Sequence, residues 1–126
     1  ISCMDAEKYI EEYIPSLSNN TLIYFDPPYY EKGSDLYLNF YKKEDHFRLS
    51  KVIQKISKHK WILSYDGVPE ILDIYKGRRS FIYDLQYSAA KSYKGKEVFI
   101  FCDKMVLPKT SIHKNVNLGL KFLVQF

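Results

Sequence analysis

The chain has 126 residues and a mass of 15.0 kDa, with 19 Lys and Arg against 15 Asp and Glu, a formal charge of +4 and a pI near 8.9. That length holds one domain at most, and with 46% apolar and 17% aromatic residues the chain can build a packed core, which excludes disorder as the whole account. The mild positive charge permits nucleic acid as a partner without demanding it. Cys3 and Cys102 make neither a disulfide framework nor a zinc motif. No apolar run approaches the ~20 residues that cross a bilayer, so a soluble protein of the reducing cytoplasm is expected. Because the sequence opens on Ile1 in what reads as a strand, a piece of a longer protein is expected.

After the apolar start at Ile1 to Met4, Ala6, Tyr9, Ile10, Tyr13 and Ile14 recur at spacings of three and four, which predicts a helix stopped by Pro15. Ser16 to Thr21 is turn-like, and Leu22-Ile23-Tyr24-Phe25 is short and apolar enough for a buried strand. It ends at Asp26-Pro27-Pro28-Tyr29. Tyr30 to Tyr41 has no clean period and reads as an aromatic-rich loop. Glu44 and Asp45 suit a first helical turn, and His46, Leu49, Val52, Ile53 and Ile56 predict one buried face on a helix reaching about Lys58.

Trp61-Ile62-Leu63-Ser64-Tyr65 is the next strand candidate, closed by Asp66-Gly67, and Pro69 to Tyr75 predicts a short helix. Alternation from Phe81 to Tyr87 predicts a half-buried strand. Glu97 to Cys102 predicts a last apolar one, with Ser88 to Lys96 between them as a basic hairpin loop carrying Lys91, Lys94 and Lys96. Parallel βα units followed by an antiparallel hairpin describe an α/β domain whose binding crevice lies at the carboxyl ends of its strands.

Asp26-Pro27-Pro28-Tyr29 sits at one such end. Each proline fixes φ near −65° and restricts the residue before it to extended conformations, and neither has an N–H to place. The turn therefore presents the Asp26 carboxylate and the Pro27 carbonyl rigidly, with the Tyr29 ring beside them. Two fixed acceptors and a stacking plane suit a planar group that bears an NH2.

This motif after Leu22 to Phe25 resembles the catalytic motif of the S-adenosylmethionine-dependent DNA amino-methyltransferases, most closely the Dam-type adenine-N6 enzymes. Asp45 to Leu49, Trp61 to Asp66 with Pro69-Glu70-Ile71 and Tyr75, and Lys96 to Ile100 resemble the downstream blocks of that family in order. The resemblance covers Ile1 to Asp103; residues 104–126 read as an extension of uncertain structure.

The resemblance implies a Rossmann-like methyltransferase sheet, parallel strands plus a C-terminal antiparallel hairpin, acting on a flipped adenine of double-stranded DNA with S-adenosylmethionine as cofactor. It implies that Asp26, Pro27, Pro28 and Tyr29 are catalytic, that Asp5, Ala6 and Asp26 contact the cofactor, and that Tyr29, Tyr30, Lys91 and Lys94 meet the nucleic acid. With Asp26 and the Pro27 carbonyl accepting its hydrogens, the amine nitrogen can pyramidalise toward the sulfonium methyl, and Tyr29 stacks the extruded ring. Restriction-modification or Dam-like methylation is the biological setting implied.

Two departures qualify the resemblance. The five glycines show no G-x-G spacing, so the glycine-rich turn of the cofactor pocket is missing, as are the N-terminal strands and the target-recognition region. The expectation is a C-terminal catalytic portion whose exposed sheet edge is covered by a second copy or an upstream segment. An inactive remnant or subunit that binds nucleic acid or a partner protein stays open, as does cytosine-N4 transfer, although Asp in the first motif position leans toward adenine. Asp5 also reads as a plain helix N-cap, the hairpin lysines as a solvated loop, and His46 as a structural histidine. No metal site is expected.

Overall fold

The computed structural model describes residues 4–31, 41–87, 93–107 and 123–125. The first helix, α1 (Ala6–Glu12), begins where the Asp5 carboxylate accepts the Lys8 N–H at 3.1 Å. It ends two residues before the expected Ile14, because the chain tightens into a 3-10 turn over Ile14–Ser16 that accommodates Pro15 in its first turn. Strand β1 (Leu22–Phe25) follows. Helix α2 (Lys43–Gln54) is held at its start by the Asp45 carboxylate, which accepts the Lys42 N–H at 2.7 Å. This helix stops short of the expected Lys58: the N–H groups of Lys55 and Ile56 bond the carbonyls of Val52 and Ile53, three residues back, and close the last turn.

Strand β2 (Lys60–Asp66), helix α3 (Pro69–Ile74) and strands β3 (Arg79–Tyr87) and β4 (Tyr93–Phe101) complete the expected order. Strand β4 starts four residues earlier than the apolar run at Glu97 suggested, because the backbone ladder with β3 continues outward through Leu85↔Gly95 to Tyr87↔Tyr93. Lys94 and Lys96 therefore lie in a strand and not in the hairpin loop. Within the C-terminal extension, strand β5 (Leu123–Gln125) pairs antiparallel with Ser80 to Ile82 of β3.

The described strands form one mixed sheet in the order β1-β2-β4-β3-β5. Strands β1 and β2 are parallel, joined by the crossover that contains α2, whereas β2/β4 and β3/β4 are antiparallel. Alternation along β2 sends Trp61, Leu63 and Tyr65 to one face and Ile62, Ser64 and Asp66 to the other. The first face is the core, closed by Ile10 and Ile14, by Leu49 and Ile53 of α2, and by Ile71 and Tyr75. Each such fully buried large apolar side chain contributes roughly 1.5–3 kcal/mol, so this face carries the stability. The second face carries the polar residues that hold the segment after β1.

The hinge between α3 and β3 is fixed by arginines. Arg79 donates to the carbonyls of Cys102, Asp103 and Met105, and Arg78 pairs with Asp103 at 2.6 Å. Among the described residues no helix is long and apolar enough to cross a membrane.

Candidate active site

The carboxyl ends of β1 and β2 lie side by side, with Phe25 opposite Leu63 in the register. Beyond Phe25 the two prolines carry the chain across the end of β2, and three polar residues hold it there. Ser64, buried in the middle of β2, donates its hydroxyl to Asp26 Oδ1 at 2.8 Å, and its oxygen lies 2.8 Å from the Tyr24 hydroxyl. The single Ser64 proton goes to Asp26, so the phenol of Tyr24 is the donor to Ser64. Asp26 Oδ2 has no partner among the described residues, and the side chain is exposed.

On the far side of the prolines the anchors are carboxylates. Asp66 accepts the N–H of Tyr30 on Oδ1 and that of Glu31 on Oδ2, each at 2.9 Å. Its register partner on β4, Glu97, accepts the Tyr29 hydroxyl on Oε1 at 2.6 Å and the Tyr83 hydroxyl on Oε2. Like charges directly opposite on a sheet repel; here four donors converge on the pair and offset that cost.

Behind this loop, on the core face, lies His46 of α2. Its Nδ1 is 2.8 Å from the Tyr65 hydroxyl, and its ring packs against Tyr30, Tyr41 and Tyr65 at centroid distances of 5.1, 5.4 and 5.6 Å. Burial pushes the imidazole pKa down, opposed by the charges of Asp66 and Asp45. Burial pushes the Tyr65 phenol up, so it keeps its proton. His46 is therefore a neutral, packed ring that supports Tyr30, and Nε2 has no partner among the described residues.

A cleft of about 440 Å³ opens between α1 and the end of β1, lined among others by Ala6, Tyr9, Ile23, Phe25, Asp26 and Pro27. The structure thus brings Ala6 and Asp26 to one cavity, with Pro27 and Pro28 in its wall. Asp5 caps α1 next to it, and its charge reaches Tyr41, whose phenol is raised by burial first and by Asp5 next. Tyr29 lies away from this cleft, on Glu97. The Tyr30 ring turns onto His46. Lys91 lies outside the described residues, as do residues 32–40 of the expected aromatic loop, and Lys94 has its backbone paired with Gln86.

Sequence reasoning did not single out Ser64, Asp66, Tyr83 or Glu97 as site residues. A signal was present for the first two: Ser64 and Asp66 are polar positions two apart in an otherwise apolar buried strand, and burial makes such groups seek specific partners.

The model of D12 class N6 adenine-specific DNA methyltransferases matches residues 1–100. No curated protein matches the chain.

Proposed function

The chain belongs to the D12 class N6 adenine-specific DNA methyltransferase family, and we propose that it carries the amine-orienting half of that activity, with Asp26, Pro27, Pro28 and Tyr29 as its catalytic segment. The observation that carries this reading is the Asp26 carboxylate: one oxygen is held by Ser64, the other is without a partner among the described residues, and the side chain lies on a cleft shared with Ala6. An acceptor fixed on one side and open on the other suits an exocyclic NH2.

The cofactor of the family, S-adenosylmethionine, fits this cleft by its chemistry. It is a sulfonium and ammonium cation joined to a flat purine, and the cavity combines the Asp26 carboxylate with apolar walls from Ile23, Phe25 and Pro27. Its size lies within the range of small-molecule sites. Asp5 and Ala6, at the start of α1, would hold the purine end and Asp26 the methionine end. When bound, the cofactor supplies an electrophilic methyl group.

The residues of the chain supply geometry. Asp26 Oδ2 and the Pro27 carbonyl accept the two amine hydrogens, which draws the nitrogen lone pair out of conjugation with the ring and aims it at the methyl donor. The prolines fix the backbone that carries both acceptors, and Ser64 holds the carboxylate on it. Tyr29 offers its ring to an adenine turned out of the duplex. Tyr30, Lys91 and Lys94 are proposed contacts to the nucleic acid, the lysines through phosphate. Strand β1 is the outermost of the described strands, and its Leu22 and Tyr24 are exposed; a strand from a second copy or from an upstream segment would pair there and extend the cleft.

The test is calorimetric titration of the chain with S-adenosylmethionine, followed by transfer of labelled methyl to adenine-containing DNA by the chain and by its Asp26→Ala variant. Micromolar binding is expected where a second copy completes the cleft, with methylation lost in the variant while its circular dichroism spectrum is kept, since Asp26 is exposed and makes one described hydrogen bond. Full methylation by Asp26→Ala would overturn the role given to that carboxylate.

A further inference from the structure

We infer that Glu97 is a positioning residue for the base-stacking ring: it fixes the plane of Tyr29 by holding the Tyr29 hydroxyl. The inference rests on the reading of Tyr29 as a platform for an extruded adenine and adds the residue that sets that platform's orientation.

A tyrosine ring at the tip of a turn has two torsions to settle, χ1 and χ2, and holding its hydroxyl while its Cα is fixed leaves neither free. Both ends of Tyr29 are held. On the N-terminal side Pro27 and Pro28 restrict the backbone. On the C-terminal side the N–H groups of Tyr30 and Glu31 are bound to the two oxygens of Asp66 at 2.9 Å. The backbone at residue 29 is therefore pinned between two stiff neighbours, and the hydroxyl is pinned by Glu97 Oε1 at 2.6 Å.

Glu97 is itself over-determined. It lies on the central strand β4, between Asp66 of β2 and Tyr83 of β3 in the register. Its second oxygen takes the Tyr83 hydroxyl, so the carboxylate cannot rotate without losing one of two phenol donors. The Tyr83 ring is stacked on Phe99 at 5.3 Å with an interplanar angle of 16°, and leans on Phe81 at 6.1 Å. The line of support runs from an aromatic cluster on the sheet, through one carboxylate, to the hydroxyl of the stacking ring. A hydrogen bond from a phenol to a carboxylate is charge-assisted and among the stronger kinds available. Its effect here is preorganisation: a ring already in place costs no side-chain ordering when a base arrives. Glu97 thus acts on capture of the base and leaves the transfer geometry at Asp26 alone.

The test uses the full chain and a single-stranded oligonucleotide carrying 2-aminopurine, whose fluorescence reports stacking on an aromatic ring. Tyr29→Phe keeps the ring and loses the hydroxyl; Glu97→Ala loses the acceptor; Glu97→Gln keeps an acceptor for one phenol and guards against a fold lost in the alanine variant. Tyr29→Phe and Glu97→Ala are each expected to weaken the affinity by about tenfold, and the double variant no further than either alone, as required when two changes break one interaction. Glu97→Gln is expected to fall between wild type and Glu97→Ala. Unchanged affinity in the folded glutamate variants, or additive losses in the double variant, would overturn the positioning role while leaving the adenine reading standing. A wild-type chain that gives no fluorescence change would overturn the adenine reading and, with it, this role.

Discussion

Ser64 Oγ stands 2.8 Å from Asp26 Oδ1 and 2.8 Å from the hydroxyl of Tyr24, so one buried serine connects strand β1 to the carboxylate that follows it. The connection is directional, from Tyr24 through Ser64 to Asp26, because the serine has one proton to give. It ties Asp26 Oδ1 to the sheet, at a residue that also lines the cleft.

Ser64→Ala removes the link without adding volume. A stability loss of about 1 kcal/mol is expected, the ordinary worth of a hydrogen bond whose partners can turn to water, since Asp26 and Tyr24 are both exposed. Methyl transfer should fall between about tenfold and a hundredfold, because a carboxylate free to rotate no longer holds the amine in line. Urea denaturation and a methylation assay on the same preparation separate the two effects. A variant that loses stability but keeps full transfer would show that the proline turn alone orients Asp26.

The Asp26 to Tyr29 turn was legible in the sequence as a rigid segment because its rigidity is local: two prolines after a short apolar strand restrict the chain whatever surrounds them. The anchors were not legible, because each depends on pairing between distant strands. Asp66 reads as a turn residue before Gly67, and Glu97 as the polar first residue of an apolar run; only the register that sets them opposite one another makes them a pair of acceptors. The helix ends differ from the apolar spacing for a related reason. Ile56 continues the apolar spacing of α2, yet it lies beyond the helix, where the last turn closes by bonds to carbonyls three residues back. Periodicity reports which side chains seek the core, not which backbone conformation takes them there.

Asp66→Asn replaces one of two acceptors with an amide NH2, which then faces a backbone N–H. The N–H of either Tyr30 or Glu31 loses this acceptor in a part-buried setting, at a cost of about 1 kcal/mol. Amide hydrogen exchange should locate the loss: one of those two amides exchanges faster, while the β2/β4 ladder stays protected. Unchanged protection at both would show that the carboxylate is not what holds them.

The stability of the chain should fall as pH drops below about 6.5, and His46 should account for part of that fall. Burial holds the folded-state pKa of His46 below its ordinary value of 6.5, with Asp66 and Asp45 opposing. Going down in pH from that value, the unfolded chain takes up the proton first, so stability present above it is lost progressively until the folded-state pKa is passed. One such group contributes a slope of at most about 1.4 kcal/mol per pH unit. Asp45 is lowered by the Lys42 N–H first and by Arg48, and its contribution is lost below its ordinary 3.8, in a separate acidic window. Urea midpoints measured from pH 8 to pH 5 should decline more steeply for wild type than for His46→Gln. Parallel curves would exclude His46 as the source.

Two glycines separate close approach from backbone conformation. Gly67 donates its N–H to the Lys96 carbonyl at 2.8 Å, and a Cβ there would meet Lys96 Cβ at 3.1 Å and its carbonyl carbon at 3.3 Å. Because the obstacle is the adjacent strand, Gly67→Ala must push β4 away next to Glu97, at a cost of roughly 1–3 kcal/mol for an overpacked contact. Gly77, in the turn before β3, has φ +88° with open space around it. Gly77→Ala therefore meets only the left-handed backbone penalty of about 1–2 kcal/mol, which Asn, with its short polar side chain, tolerates better. Stability of the Asn variants distinguishes the causes: Gly77→Asn should recover much of what Gly77→Ala loses, whereas Gly67→Asn should be no better than Gly67→Ala. Recovery at Gly67 would mean that the β2/β4 approach yields easily, and the rigidity assigned to the Asp66–Glu97 pair would have to come from elsewhere.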